Sequence, residues 1–451
     1  MSLASVLGVL VAVLTNALPE LPGSQLPGSQ LLGSQLLGSQ WPALLACGLL
    51  LFQLPFTAIL LSRLFRGARR QKPIAPKKAT ADQINSVSVV VPTLNEADRI
   101  TPCLQGLSRQ GKAVREIIIV DSRSTDGTPE KVKAFAARDS RIRLMTDEPL
   151  PSGWVGRPWA LHTGYLASSP ASEWVLGIDA DTEPQPGLVA AAISEAESQG
   201  YDLISLSPRF RLRFAGEWWL QPALLMTLIY RFDSAGVGES RPERVMANGQ
   251  CFLCRRSVLA QVDGYTGAAN SFCDDVTLAR QIAAVGYRVG FLDGARVISV
   301  RMYEGMAETW QEWGRSLDLK DAATPQQLWG DLALLISAQA LPILVTPLLL
   351  FFEKSDRGSL TVQMALGLNV FLLLVRWGMQ GAIAASYHRP RKLFSVAQFF
   401  WLSPLADPLA VTRILISSLQ TRIQWRGRIY DKTSRDKTSR DKTNSDREAH
   451  L

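Results

Sequence analysis

Histidine and cysteine are scarce in this chain, with three and five residues among 451. Cys251 and Cys254 form a lone CxxC with no second pair, which excludes a zinc-ribbon site and a disulfide scaffold. The plain alternative is two small apolar residues in a buried segment. His388 and His450 sit in basic, solvated stretches, and His162 follows a Gly-Trp loop where packing or solvent is its expected surrounding. No GxGxxG follows the first strand-like run, so dinucleotide chemistry is disfavoured. A broad basic surface is missing too. The net charge of +8 is concentrated at residues 62–78 and 422–451, and the rest is slightly acidic. Basic flanks of apolar runs point to membrane topology and lipid headgroups, and away from nucleic acid.

Charge is absent altogether from residues 41–61, WPALLACGLLLFQLPFTAILL, about the length that crosses a bilayer. Residues 1–18 are apolar, a helix or an uncleaved signal-like stretch. Residues 19–40 carry the repeat LPGSQ LPGSQ LLGSQ LLGSQ, whose Gly and Ser read as a flexible connector. The basic linker 62–84 follows the 41–61 anchor and places the next domain on the cytoplasmic side. Beyond it, 332–386 holds two apolar stretches of spanning length. A third, 396–419, contains Pro404, Asp407, Pro408 and Arg413, residues costly or disruptive in lipid. Charge parity makes it re-entrant or interfacial. Residues 420–451 form a basic, repetitive tail expected to be disordered.

Between the membrane parts, β-branched runs alternate with helical stretches: 86–92, 116–121, 142–146 and 173–181. That pattern predicts an α/β domain over 85–320 with a doubly wound, mainly parallel sheet and crossover helices. Ligands of such sheets bind beyond the carboxyl ends of the strands. Here those ends carry Thr93-Leu94-Asn95-Glu96, then Asp121-Ser122-Arg123-Ser124-Thr125-Asp126-Gly127, then Asp179-Ala180-Asp181. Asp and Asn also cap helices and start turns, which explains any one of these singly but not all three at successive ends. Asp179 and Asp181 offer hard oxygen ligands suited to magnesium or manganese on a diphosphate. Arg157, in the loop GWVGRPWAL (153–161), can meet a phosphate at a helix start, or the loop can simply pack its two Trp rings on the sheet. Asp274-Asp275 opens a helix, as a cap or as an acid pair with Asp275 the candidate base.

The runs VPTLNE, IIIVDSRSTDGT and GIDAD resemble the nucleotide-binding half of inverting, family-2 type glycosyltransferases of GT-A fold. The resemblance implies a nucleotide-sugar donor held by Glu96, Asp121, Asp126, Arg157 and Asp179, and a divalent metal on Asp179 and Asp181. It also implies Asp275 as the base, and Asp274, Trp313 and Arg315 as donor or acceptor contacts. Ser122 replaces the family's second acid, Arg157 its usual Lys, and Asp274 the Glu of its acidic pair. The segment TWQEWGRS (309–316) departs from the (Gln/Arg)xxArgTrp motif of processive synthases, which argues against polymer synthesis. The Trp-rich stretch 216–230 is too short to span and reads as an interfacial helix or acceptor groove. With the anchors, the whole pattern is most similar to bacterial glycosyltransferases associated with carotenoids and hopanoids. Among these, the cyanobacterial carotenoid 2'-O-glycosyltransferases imply a myxol-type hydroxyl acceptor at an inner or thylakoid membrane. A hopanoid or diacylglycerol acceptor, a polyprenyl-phosphate acceptor and an inactive membrane scaffold stand as alternatives.

Overall fold

The computed structural model of the chain describes residues 29–313, 317–354, 359–388, 396–420, 422–425 and 428–431. Residues 1–18 and Arg315 therefore lie outside the described residues. Ten strands organise the middle of the chain: β1 Val87–Thr93, β2 Val114–Asp121, β3 Ile142–Thr146, β4 Trp174–Ile178, β5 Thr182–Pro184, β6 Leu203–Ser207, β7 Arg209–Phe210, β8 Cys251–Arg255, β9 Val289–Asp293 and β10 Ile298–Val300. Seven of them make one sheet in the order β3-β2-β1-β4-β8-β6-β9. All its neighbouring pairs are parallel except those made by β8, which runs against both β4 and β6. The sheet is thus mainly parallel with helices on both faces, as the alternation of runs predicts. A smaller sheet, β5-β10-β7, stands beside the β4 end.

Both sheet faces are buried, which is why the strands read as continuous apolar runs. On one face Val89, Val91, Ile117, Ile119 and Leu176 pack with the helices Ile100–Ser108 and Leu188–Gln199. On the other, Val90, Ile118, Val120 and Val175 pack with Gly156–Ala167 and Asp274–Ala284. Cys251 belongs to the first core and Cys254 to the second. Three residues apart on a strand, the two thiols face opposite sides of the sheet and cannot share a ligand.

Among the described residues, four helices are long and apolar enough to cross a membrane: Trp41–Gly67, Pro325–Phe352, Leu360–Ser386 and Val396–Leu419. The first continues backward to Ser29, so the last copies of the repeat, expected as flexible connector, are helical. Leu at two positions in each LLGSQ copy favours helix over the linker that Gly and Ser suggest. The basic linker is also held: Gln71 N–H donates to Gly236 O (2.9 Å) and Ile74 N–H to Asp293 O (2.9 Å). Arg66 pairs with Asp233 at 2.9 Å, so part of the basic run neutralises acids of the sheet domain. The tail, expected disordered throughout, pairs Arg422–Trp425 with Arg428–Asp431 as an antiparallel hairpin. Alternating β-formers on either side of Arg426-Gly427 account for that hairpin.

The segment from Val396 is broken into a 3-10 stretch to Ala406 and the helix Asp407–Leu419. Its beginning packs near Tyr387, whose ring lies 5.2 Å from that of Phe400, and its end returns to Lys320, whose Nζ donates to Ser418 O (3.0 Å). His388 N–H in turn donates to Phe210 O (2.8 Å). Phe400 also lies 6.2 Å from the ring of Trp218, so both ends of the segment meet residues of the 85–320 domain. At its middle, Asp407 accepts from Arg376 Nε (2.6 Å) and Nη2 (3.0 Å) and from Gln339 Nε2 (3.0 Å), all buried. Ionised side chains survive among apolar helices only when matched in this way. Asp407→Ala leaves Arg376 buried and unpaired and is expected to cost about 3–5 kcal/mol. The thermal midpoint of the detergent-solubilised protein measures this, and the double change Asp407→Leu with Arg376→Met should recover most of the loss.

Candidate active site

The loops after β1 and β2 are laced together. Asn95, at φ 55°, donates its N–H to Ser124 Oγ (2.8 Å) and accepts Thr125 N–H at Oδ1 (2.9 Å). Asp126 accepts from Ala97 N–H (2.9 Å) and from Thr128 Oγ1 (2.6 Å). Asp121 accepts from Thr93 Oγ1 (3.1 Å), Ser124 N–H (2.9 Å) and Ser124 Oγ (2.6 Å). Glu96, Asp121 and Asp126 thus gather at one end of the sheet edge, with Asp126 tying loop to loop. Ser122, at the position of the expected second acid, donates instead to Asp147 Oδ2 (2.7 Å). Asp147, just beyond β3, is a further strand-end carboxylate that the sequence reading passed over. Following the third strand to its last residue would have found it.

Asp179 and Asp181 follow β4 directly. Because β8 is reversed, its start lies at the edge where its neighbours end, with Cys251 opposite Ile178. This brings Asn248-Gly249-Gln250 beside the two aspartates. Arg157, on the first turn of Gly156–Ala167, spans the gap. Its Nε donates to Asp179 Oδ1 (2.9 Å), its Nη2 to Gly249 O (2.8 Å), and its Nη1 to Asp274 Oδ2. A Cβ on residue 249 would meet the guanidinium, so a side chain there would displace Arg157 from this position. The same loop also packs its rings: Trp154 and Trp159 lie 5.1 Å apart, and His162 is buried beside both. In this loop the cation points to the acids and Trp154 packs against the core of the sheet's second face.

Asp275 accepts from Gly249 N–H at Oδ2 (2.6 Å) and from Val276 N–H at Oδ1 (2.8 Å), which holds its side chain at the helix start. Burial pushes both Asp274 and Asp275 above the usual carboxylate range, with Asp179 adding to it and Arg157 opposing it. The same three acids hold Arg157 firmly protonated against its burial. Three acids around one cation, two of them with raised carboxyls, mark this as a candidate functional centre. Among the described residues no three His, Cys, Asp or Glu side chains cluster as a closed metal cage. Asp179 and Asp181 suit an ion whose other ligands come from a diphosphate, as hard oxygen donors do for magnesium and manganese.

A cavity of about 1370 Å³ takes in Arg157, Asp179, Asp181, Asp274, Asp275 and Trp313. It continues past Leu225 and Ile229 of the helix Ala215–Phe232 and Met379, Ile383 and Ile416 of two of the long apolar helices. Glu96, Asp121 and Asp126 are not in its lining and lie farther along the edge toward β2. Trp313 is buried against Phe210, ring centroids 6.1 Å apart. Arg99, another residue the sequence did not single out, lines the cavity and pairs with Glu308 at 3.0 Å.

Residues 88–263 match the family "Glycosyl transferase family 2", and residues 234–437 match "Glycosyl transferase family 21". The fold is the GT-A fold of glycosyltransferases, joined here to helices long and apolar enough to cross a membrane. A mannosyltransferase from Pyrobaculum calidifontis, solved with GDP-Man and Mn2+, superposes with a TM-score of 0.50 at 18% identity, over 83% of this chain and 99% of its own. The 4,4'-diaponeurosporenoate glycosyltransferase of Staphylococcus haemolyticus is 27% identical over 251 residues, 55% of this chain and 65% of that protein. Glycosyltransferase AglE of Haloferax volcanii is 25% identical over 210 residues, 46% of this chain and 64% of that protein. The chain thus matches just under two-thirds of the length of each of these curated relatives.

Proposed function

We propose that this protein is an inverting glycosyltransferase that moves a sugar from a nucleotide-diphosphate donor to a hydroxyl of a membrane-dissolved lipid, a carotenoid foremost. The observation that carries the reading is the single cavity joining the Asp179–Asp181–Asp275 centre to apolar side chains of the membrane helices. A soluble acceptor has no use for that second arm. The carotenoid class is supported by the acceptor in the name of the Staphylococcus relative, and the myxol-type 2'-hydroxyl by the sequence resemblance.

In this reading the nucleoside lies along Glu96 and Asp121, and Arg157 meets the diphosphate. A magnesium or manganese ion on Asp179 and Asp181 would supply neutralisation of charge on the leaving phosphates. Asp275 accepts the proton of the acceptor hydroxyl as its oxygen attacks the anomeric carbon. The new C–O bond forms as the bond from that carbon to the diphosphate oxygen breaks, and the nucleoside diphosphate leaves. One displacement with no enzyme nucleophile inverts the carbon. The positive-inside rule puts this domain in the cytoplasm. A re-entrant course for 396–419 is supported by the contacts of Phe400 with Trp218 and of Ser418 with Lys320, both in the 85–320 domain.

Lipids and pigments extracted from cells with and without the protein, compared by mass spectrometry, test the acceptor. A glycosylated xanthophyll should disappear with the protein. Loss of a glycosylated hopanoid or glycerolipid, with pigments unchanged, would keep the chemistry and overturn the carotenoid.

A further inference from the structure

The stretch Thr309–Trp313 is one π-helical turn, and Trp310, Gln311, Glu312 and Trp313 all line the cavity. Such wide turns break the regular ladder of backbone hydrogen bonds and recur at functional sites. Here two of the turn's carbonyls are taken by one side chain from a distant part of the chain. Arg413 donates from Nε to Trp310 O (2.8 Å) and from Nη2 to Gln311 O (3.3 Å), with its guanidinium carbon 5.8 Å from the Trp310 ring centroid. Arg413 is only 6% exposed and also lines the cavity.

Its helix, Asp407–Leu419, is itself fixed at two points. Asp407 is locked to Arg376 and Gln339, and Ser418 O accepts from Lys320 Nζ. The other end of the cavity-lining stretch is pinned from the sheet domain. Arg99 pairs with Glu308 and donates to Met302 O (3.1 Å), and Glu217 accepts Gly305 N–H (2.6 Å). The stretch 301–313 is therefore a roof held on one side by the catalytic edge and on the other by the last membrane segment. A planar guanidinium suits this post, since it reaches two carbonyls at once where an ammonium is a single point charge.

We propose that Arg413 is a positioning residue. It holds the Trp310–Trp313 turn closed over the acceptor arm, so that the acceptor hydroxyl and not water meets the donor sugar. The inference rests on the transferase reading above.

The test uses the full chain in nanodiscs, with Mn2+, a panel of UDP- and GDP-hexoses, and a hydroxylated carotenoid in the lipid. Arg413→Gln should raise the ratio of donor hydrolysis to transfer about tenfold, as expected when a roof loses two hydrogen bonds and admits water. Arg413→Lys should fall between. Hydrogen exchange should quicken in residues 301–313 and not in β1 or β2. Hydrolysis and transfer falling in equal proportion, or an unchanged ratio, would overturn the positioning role while leaving the transferase intact. Wild-type protein that neither transfers nor hydrolyses would remove the transferase reading and this role together.

Discussion

Asp275→Asn should slow transfer to a lipid hydroxyl by about two to four orders of magnitude, the usual contribution of a positioned general base. The assay is formation of glycosylated lipid in membranes carrying the variant. An alcohol is a poor nucleophile at neutral pH unless a base takes its proton as the new bond forms. Asp275 stands at the cavity with its oxygens fixed by the Gly249 and Val276 amides. Asparagine keeps the shape and one acceptor oxygen but cannot take the proton. The size of the loss also reports the acceptor. A phosphate or carboxylate is already ionised, and transfer to either would survive the change within about tenfold, since no base contribution is there to lose.

The pH dependence carries the same information with a fixed sign. Burial and the neighbouring Asp179 raise the Asp275 carboxyl above the ordinary aspartate value of 3.8. The base works only when ionised, so kcat/KM should fall as pH drops through a value higher than that of a free aspartate. The acid limb should vanish in Asp275→Asn, leaving only the slow residual rate. A wild-type limb near the ordinary aspartate value would count against Asp275 as the base.

The reversed strand separates what the sequence discloses from what it hides. β1, β2 and β4 are legible because burial on both faces demands the unbroken runs VSVVVPT, VREIIIVD and WVLGI, and the polar turn after each must fall at the ligand edge. Glu96, Asp121, Asp179 and Asp181 follow from that rule alone. Asp147 follows from it as well, once β3 is carried to its end. The run CFLCR of β8 is equally apolar, but nothing in it states its direction. The meeting of Gly249 with Arg157 depends on that direction and was therefore hidden. Arg99 and Arg413 were hidden for another reason. Each acts through a contact more than a hundred residues away in sequence, with Glu308 or with Trp310, and long-range pairs leave no periodicity. In the linker 62–84 the sequence states the charge but not what each cation faces. A run of lysines and arginines looks the same whether it faces lipid or, like Arg66 beside Asp233, an acid of its own domain.

Asp181→Asn should reduce transfer by about a thousandfold or more while leaving the protein inserted and folded. A metal acting as Lewis acid contributes several kcal/mol of charge stabilisation in the transition state, which corresponds to that factor. Asp181 sits in the turn between β4 and β5 and belongs to none of the four apolar helices, so insertion is not expected to depend on it. It also lines the cavity, while Asp179 in addition accepts from Arg157 Nε at 2.9 Å. The two aspartates should therefore differ. Asp179→Asn removes a proposed metal ligand and also one of the acids that hold Arg157 in place, so it should disturb donor binding even without metal. Asp181→Asn should lower Mn2+ affinity, measured by titration with donor present, and leave metal-free nucleotide binding close to wild type. Full activity in Asp181→Asn, or wild-type activity that persists in excess chelator, would remove the ion from the reaction and leave Arg157 as the cation facing the diphosphate.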